Sequence, residues 1–130
     1  MDNSHIIQIL GALEKEVMDV VWENSSPITV REVLQRISKK RQVAYTTVMT
    51  IMTRLTDKGL LNRKSDNGKA YTYQAVYSRE KFLTKVSKQI IKNFISTFGQ
   101  AAVAHFAQEI DKIPADKRRK LLKMLKSNNR

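Results

Sequence analysis

The sequence predicts a mainly α-helical fold with one small β hairpin, arranged as a head followed by a helical tail, and three observations predict it. Apolar residues recur at helical spacing in three segments before residue 60. Two short stretches suited to strands then flank Asn67-Gly68, a pair that tolerates the positive φ angles of a tight hairpin. After Ser78, three more segments carry wide apolar stripes at helical spacing.

The first helix is expected from about Leu10 to Glu23, with Leu13, Val17, Val20 and Val21 recurring on one side and Met18 and Trp22 in support. Trp22 is most simply a core residue. Asn24-Ser-Ser-Pro27 ends this helix, and Ile28 fits a short extended segment. Thr29 and Glu32 form an S/T-x-x-E capping box, which satisfies free backbone donors and starts a second helix running to about Lys40. Val33, Leu34 and Ile37 would face inward.

Lys39-Lys-Arg-Gln42 interrupts the apolar pattern briefly before a third helix in Val43 to Gly59. On a wheel of about 100° per residue, Ala44, Tyr45, Val48, Ile51, Met52 and Leu55 share an apolar stripe. Thr46, Thr47, Thr50 and Arg54 gather opposite. Solvated helix faces usually carry Glu, Lys and Gln, whereas this one offers small hydroxyls and one arginine. Hydroxyls can bond phosphate oxygens or base edges, threonine methyls can touch thymine methyls, and Arg54 can pair with a guanine edge, so the face suits a DNA major groove. Two helices joined this closely form a helix-turn-helix unit, and Gly59 supplies the stop.

Leu60 to Lys64 and Lys69 to Ala75 read as strands around the tip Ser65-Asp-Asn-Gly68. Arg63, Lys64 and Lys69 flank this tip, where a wing would clamp phosphates beside the groove. Ser78 then caps a long helix to about Phe98 whose stripe holds Phe82, Val86, Ile90, Ile91, Phe94, Ile95 and Phe98. Gly99 breaks it. An Ala-rich helix from Gln100 to Ile110 presents Val103, Phe106 and Ile110, and Pro114 fits the first turn of a last helix with Leu121, Leu122 and Leu125 inward. Helices this apolar exceed what a small head can cover, and a second copy of the chain is the economical partner. The expected organisation is a winged helix-turn-helix head over 1–77 and a helical dimerisation domain over 78–130.

The 130 residues contain 24 Lys and Arg against 12 Asp and Glu, a net charge of +12 that favours an anionic partner such as nucleic acid or, less well, a membrane surface. The distribution says more than the total. Residues 1–30 carry a balance of −4, so the first helix should face away from a polyanion, whereas residues 31–78 carry +7 around the threonine-rich helix. The basic residues of the tail are compatible with the solvated side of amphipathic helices. No cysteine is present, which excludes a disulfide framework, a thiolate metal site and a cysteine nucleophile. Neither His5 nor His105 has a partner at metal-ligand spacing, and there is no nucleophile elbow, phosphate-cradling loop or dinucleotide fingerprint. No enzyme, cofactor or small-molecule substrate is expected. Met1 to Leu10 lacks a signal-peptide pattern, so the expected location is cytoplasmic.

Leu13-Glu-Lys-Glu-Val-Met-Asp-Val-Val-Trp22, Ala44-Tyr-Thr-Thr-Val-Met-Thr-Ile-Met-Thr-Arg-Leu-Thr-Asp-Lys-Gly-Leu60 and Gly68-Lys-Ala-Tyr-Thr-Tyr73 together resemble the penicillinase-repressor family of bacterial transcription regulators. That family includes the methicillin-resistance and copper-operon repressors. The resemblance implies a winged-helix head, a dimerising helical tail and repression from inverted-repeat operators. Carried over by position, Thr46, Thr47, Thr50 and Arg54 would face the groove. Arg63, Lys64, Lys69 and Tyr71 would belong to the wing. Independently of the resemblance, Arg41, Tyr45 and Lys58 are expected as further DNA-backbone contacts around the third helix. Several members carry Lys where this chain has Thr46. The cysteine-rich motif of the copper-responsive members is missing. In the β-lactam-responsive branch a membrane metallopeptidase inactivates the repressor by cutting an Asn-Phe bond, and the corresponding local match is His105-Phe106. The expected function is therefore a homodimeric repressor on a palindromic operator. A nonspecific nucleic-acid-coating protein and a winged-helix protein-interaction module are the alternatives.

Overall fold

The computed structural model describes residues 10–65, 67–68 and 70–128, with the side chains of Leu125, Ser127 and Asn128 excepted. Lys69 and the segment holding His5 lie outside the described residues.

Helix α1 spans Ala12–Glu23, with the Glu14 carboxylate accepting the Gly11 N–H at 3.1 Å just outside the helix start. It buries Val17, Met18 and Val21, while Leu13, Val20 and Trp22 pack more shallowly. Helix α2, Val30–Ile37, begins at the expected capping box: Thr29 Oγ1 accepts the Glu32 N–H, and Glu32 Oε1 accepts the Thr29 N–H, both at 3.2 Å. It ends three residues short of the expected Lys40. Ser38 to Gln42 bring nothing apolar to bury, and the chain tightens so that the Ile37 carbonyl accepts the N–H groups of both Lys40 and Arg41.

Helix α3, Tyr45–Asp57, buries Val48, Ile51, Met52 and Leu55. The apolar stripe is narrower than the wheel suggested. Ala44 and Tyr45 stand at the helix entrance, and both are exposed. At the other end Gly59 adopts φ +81°, the Leu60 N–H reaches back to the Leu55 carbonyl and the Gly59 N–H to that of Thr56. This is the Schellman arrangement, and it turns the chain directly into the hairpin.

Strands β1, Leu61–Ser65, and β2, Tyr71–Ala75, pair antiparallel with Leu61 opposite Ala75, Arg63 opposite Tyr73 and Ser65 opposite Tyr71. At the tip Asn67 and Gly68 both take positive φ, 52° and 77°. Ile28 adds a bridge on the other side of β2, exchanging two backbone hydrogen bonds with Tyr73. Leu61, Tyr73 and Ile28 thereby join the core formed by the three helices. A winged helix-turn-helix results: α2 and α3 joined by a short turn, with the hairpin beside them.

Helix α4 spans Arg79–Phe98, and the Ser78 hydroxyl oxygen accepts the Lys81 N–H at 3.2 Å at its start. The chain divides into two compact units, one ending at Ser87 and the other beginning at Lys88, so α4 passes through the division. Its first turns belong with the head, because Phe82 is 7% exposed and its ring packs 5.3 Å from that of Trp22. The second unit continues through α5, Gln100–Asp111, and α6, Ala115–Asn128, with Gly99 at φ +82° before α5. Pro114 lies immediately before α6 rather than in its first turn, with its carbonyl accepting the Arg118 N–H at 3.0 Å. Among the described residues no helix is long and apolar enough to cross a membrane.

Candidate nucleic-acid interface

Thr46, Thr47, Thr50 and Arg54 are all exposed along one side of α3. Their polar groups are not equally free. The Thr50 hydroxyl donates to the Thr46 carbonyl at 2.9 Å and that of Thr53 to the Met49 carbonyl at the same distance, which consumes each hydroxyl hydrogen on the helix itself. Thr46 and Thr47 have no side-chain partner among the described residues, and Arg54 has neither hydrogen bond nor ion pair there. The N-terminal part of the face and its single guanidinium are thus open to an outside acceptor.

The hairpin presents a second group. The Arg63 guanidinium lies over the Tyr71 ring at 4.4 Å from its centroid, so a long flexible cation is held against a half-exposed ring instead of sweeping solvent. Lys64 is exposed on the opposite side of the strand pair, across from Thr72. Arg31, near the start of α2, lies over the Tyr45 ring at 5.7 Å in the same manner.

Arg41 and Lys58, expected to touch a DNA backbone, sit just outside the two ends of α3 and are both paired within the chain. Arg41 donates to Glu16 at 2.7 Å, and Lys58 donates to Glu14 at 2.7 Å. Burial opposes charge on Glu14, but hydrogen bonds from Lys58 and the Gly11 N–H, with the positive field of Lys58 and Arg54, outweigh it and hold the carboxyl below its ordinary value. The acids of α1 therefore brace both ends of α3. Sequence reading missed this because the partners are 25 and 44 residues apart, and no local spacing signals such a pair. Arg79 is likewise held by Asp19 and lies over Trp22, whose indole N–H donates to the Tyr77 carbonyl at 3.0 Å.

The residues expected to form a dimer surface are distributed unevenly. Phe82 is a correction: its side chain is buried on Trp22 inside the first unit and is unavailable to a second chain. Val86 is half-buried. Ile90, Ile91, Phe94, Ile95, Phe98, Val103, Phe106, Ile110, Leu121 and Leu122 all remain substantially exposed, and the side chain of Leu125 is outside the described set. Within the second unit the Phe94 ring lies 5.4 Å from Phe98 and 6.4 Å from Phe106. The His105–Phe106 bond falls in the middle of α5. Among the described residues no cluster of three or more His, Asp or Glu could hold a metal ion.

Comparison with known proteins agrees with this architecture. The family model described as penicillinase repressor matches residues 10–127. The transcriptional regulator BlaI of Mycobacterium tuberculosis is 34% identical over 121 residues, covering 92% of this chain and 87% of that protein. The penicillinase repressor of Bacillus licheniformis is 26% identical over 115 residues, covering 88% of each. Among solved structures, the complex structure of hsRosR-S4 matches over 98% of this chain and 96% of that one with a TM-score of 0.53, and at 15% identity this is a similarity of fold. The match along almost the whole chain, together with the relative 34% identical over most of both lengths, shows that this protein belongs to the penicillinase repressor family.

Proposed function

We propose that the chain is a DNA-binding transcriptional repressor that works as a homodimer, occupying an inverted-repeat operator and so blocking a promoter. The observation that carries this reading is the exposed side of α3, where the side chains of Thr46, Thr47 and Arg54 have no hydrogen-bond or ion-pair partner among the described residues and Arg63 is held on Tyr71 in the hairpin beside it. In the proposed complex α3 enters the major groove, with Thr46, Thr47, Thr50 and Arg54 toward the bases. Arg63, Lys64, Lys69 and Tyr71 of the wing grip the neighbouring phosphates, which fixes register without reading sequence. The name of the Mycobacterium tuberculosis relative, a transcriptional regulator, supports the same assignment.

The tail supplies the two-fold symmetry. Its exposed apolar side chains from Ile90 to Leu122 form the surface that a second copy covers, which makes 88–128 the dimerising part and places two α3 helices on successive half-sites. No catalytic step, cofactor or small-molecule substrate enters this mechanism, and its place of action is the cytoplasm. Release from DNA follows cleavage at His105–Phe106 by a membrane-bound metallopeptidase, as the family resemblance implies. An intact chain in induced cells argues against that release step alone.

The experiment is selection of genomic fragments by the purified protein, followed by footprinting of the best fragment beside a random duplex at about physiological salt. Protection of two symmetric half-sites one or two helical turns apart supports the dimeric repressor. Uniform protection without a preferred fragment favours a nonspecific coating protein, and absent or salt-insensitive binding favours a protein-interaction module.

A further inference from the structure

Helix α3 carries two large apolar side chains that the core does not use, Tyr45 at its entrance and Met49 one turn on. Met49 is 41% exposed, in contrast to Val48 and Met52, which are fully buried. Beside it stand Thr50 and Thr53, whose hydroxyl hydrogens are both engaged by carbonyls one turn back, at Thr46 and Met49. A threonine bonded in this way retains acceptor capacity, but it has no hydrogen left to donate and offers its methyl group to whatever approaches. At about 100° per residue, Met49 and Thr53 lie about 40° apart at one edge of the exposed side, and Thr46, Thr50, Arg54 and Thr47 follow in that order around the helix.

The exposed side of the reading helix thus has an apolar edge, Met49 with Thr53 one turn on, next to the side chains of Thr46, Thr50, Arg54 and Thr47. An exposed methionine on a helix that enters a wet groove is unfavourable unless something apolar covers it. In the major groove the one apolar group on a base edge is the thymine C5 methyl. We infer that Met49, with the methyl of Thr53 one turn on beside it, is a specificity-determining contact that selects thymine through its C5 methyl. This rests on the reading of α3 as the groove helix and deepens it by naming the base and the atoms that choose it.

The test removes that methyl and nothing else. The best duplex recovered by selection from a randomised pool is resynthesised with deoxyuridine in place of each thymidine in turn, and affinities are measured for the wild type, Met49→Ala, Met49→Leu and Thr53→Ser. The wild type is expected to lose about fourfold at one or more positions per half-site, the effect of one methyl group returned to water. Met49→Ala should bind the thymidine and deoxyuridine duplexes equally at one of those positions, while Met49→Leu keeps the discrimination. Thr53→Ser keeps its hydroxyl and should lose part of the discrimination at that or the adjacent position. Because Met49 is exposed, these variants are expected to fold, which circular dichroism and binding to the parent duplex check directly. A deoxyuridine profile identical in wild type and Met49→Ala, or a wild type indifferent to every replacement, overturns the inference and leaves the repressor reading standing. Failure of the selection to return any preferred duplex overturns both.

Discussion

The Lys58 ammonium donates to the Glu14 carboxylate at 2.7 Å, tying the residue after the last turn of α3 to the first turn of α1. Glu14 also accepts the Gly11 N–H, and its side chain is only 16% exposed. Its carboxyl is held below the usual 4.5, so the folded state prefers the charged form more strongly than the unfolded chain does. The stabilisation is fully present above about pH 4.5 and is lost as pH falls through the lower folded value. Glu14→Gln should therefore reduce stability by about 1 kcal/mol at pH 7, with a smaller gap between wild type and variant at an acid pH well below 4.5. Urea denaturation at the two pH values measures this, and an equal gap at both would show that the pair contributes nothing through its charge.

A second prediction concerns the turn that passes from α3 into the hairpin. Gly59 has φ +81°, and a methyl group added there would meet no atom within 4 Å. Any cost of Gly59→Ala then comes from backbone conformation rather than from collision, about 1 to 2 kcal/mol. Gly59→Asn should cost less, because asparagine tolerates this region better. Chemical denaturation that found alanine as stable as glycine would mean that the turn relaxes to negative φ.

These two features differ in how far the sequence announced them. Gly59, the Thr29–Glu32 box and the Asn67-Gly68 tip are local: each is decided by a few adjacent residues whose conformational preferences act without the rest of the fold. The exposed side of α3 was legible for a related reason, since a single helical period decides which residues share a face. Phe82 was not. Its spacing continues into Val86 and Ile90, so periodicity grouped it with the tail, and only the packing of Trp22 against it assigns it to the head. The Glu14–Lys58 and Glu16–Arg41 pairs also arise only after distant segments meet. The division of α3 into hydroxyls that are free and hydroxyls bonded to the helix depends on rotamers, which the wheel does not contain.

Arg54 and Lys64 should respond differently to removal. Arg54 is the one guanidinium on the α3 face, so Arg54→Ala should cost about 1 to 3 kcal/mol on the preferred duplex and relax the choice of base at one position. Lys64 is exposed on a strand, where its charge meets phosphate without reading sequence. Lys64→Ala should weaken preferred and random duplexes alike and lower the slope of log affinity against log salt by about 1. Titrations at several salt concentrations separate the two, and equal losses on both duplexes for Arg54→Ala would demote it to a phosphate contact.

The last prediction tests the two-fold reading at its source. Ile91 is 53% exposed on α4, where it flanks Phe94 and Ile95. Ile91→Lys leaves the core of the head untouched and places a charge where the proposed second copy would bury an isoleucine. Each copy loses about 2 kcal/mol of apolar burial, and a two-fold interface feels the change twice, so the dimer should dissociate at concentrations at which the wild type remains paired. Sedimentation should then find a species of 15.0 kDa. The indole signal of Trp22, packed against Phe82 in the first unit, should be unchanged, which separates loss of pairing from loss of folding. The monomer should still reach one half-site through α3, but without the second contact it should protect the full operator only at much higher concentration. A wild type already monomeric at the concentration of full protection would place the symmetry elsewhere than in the tail.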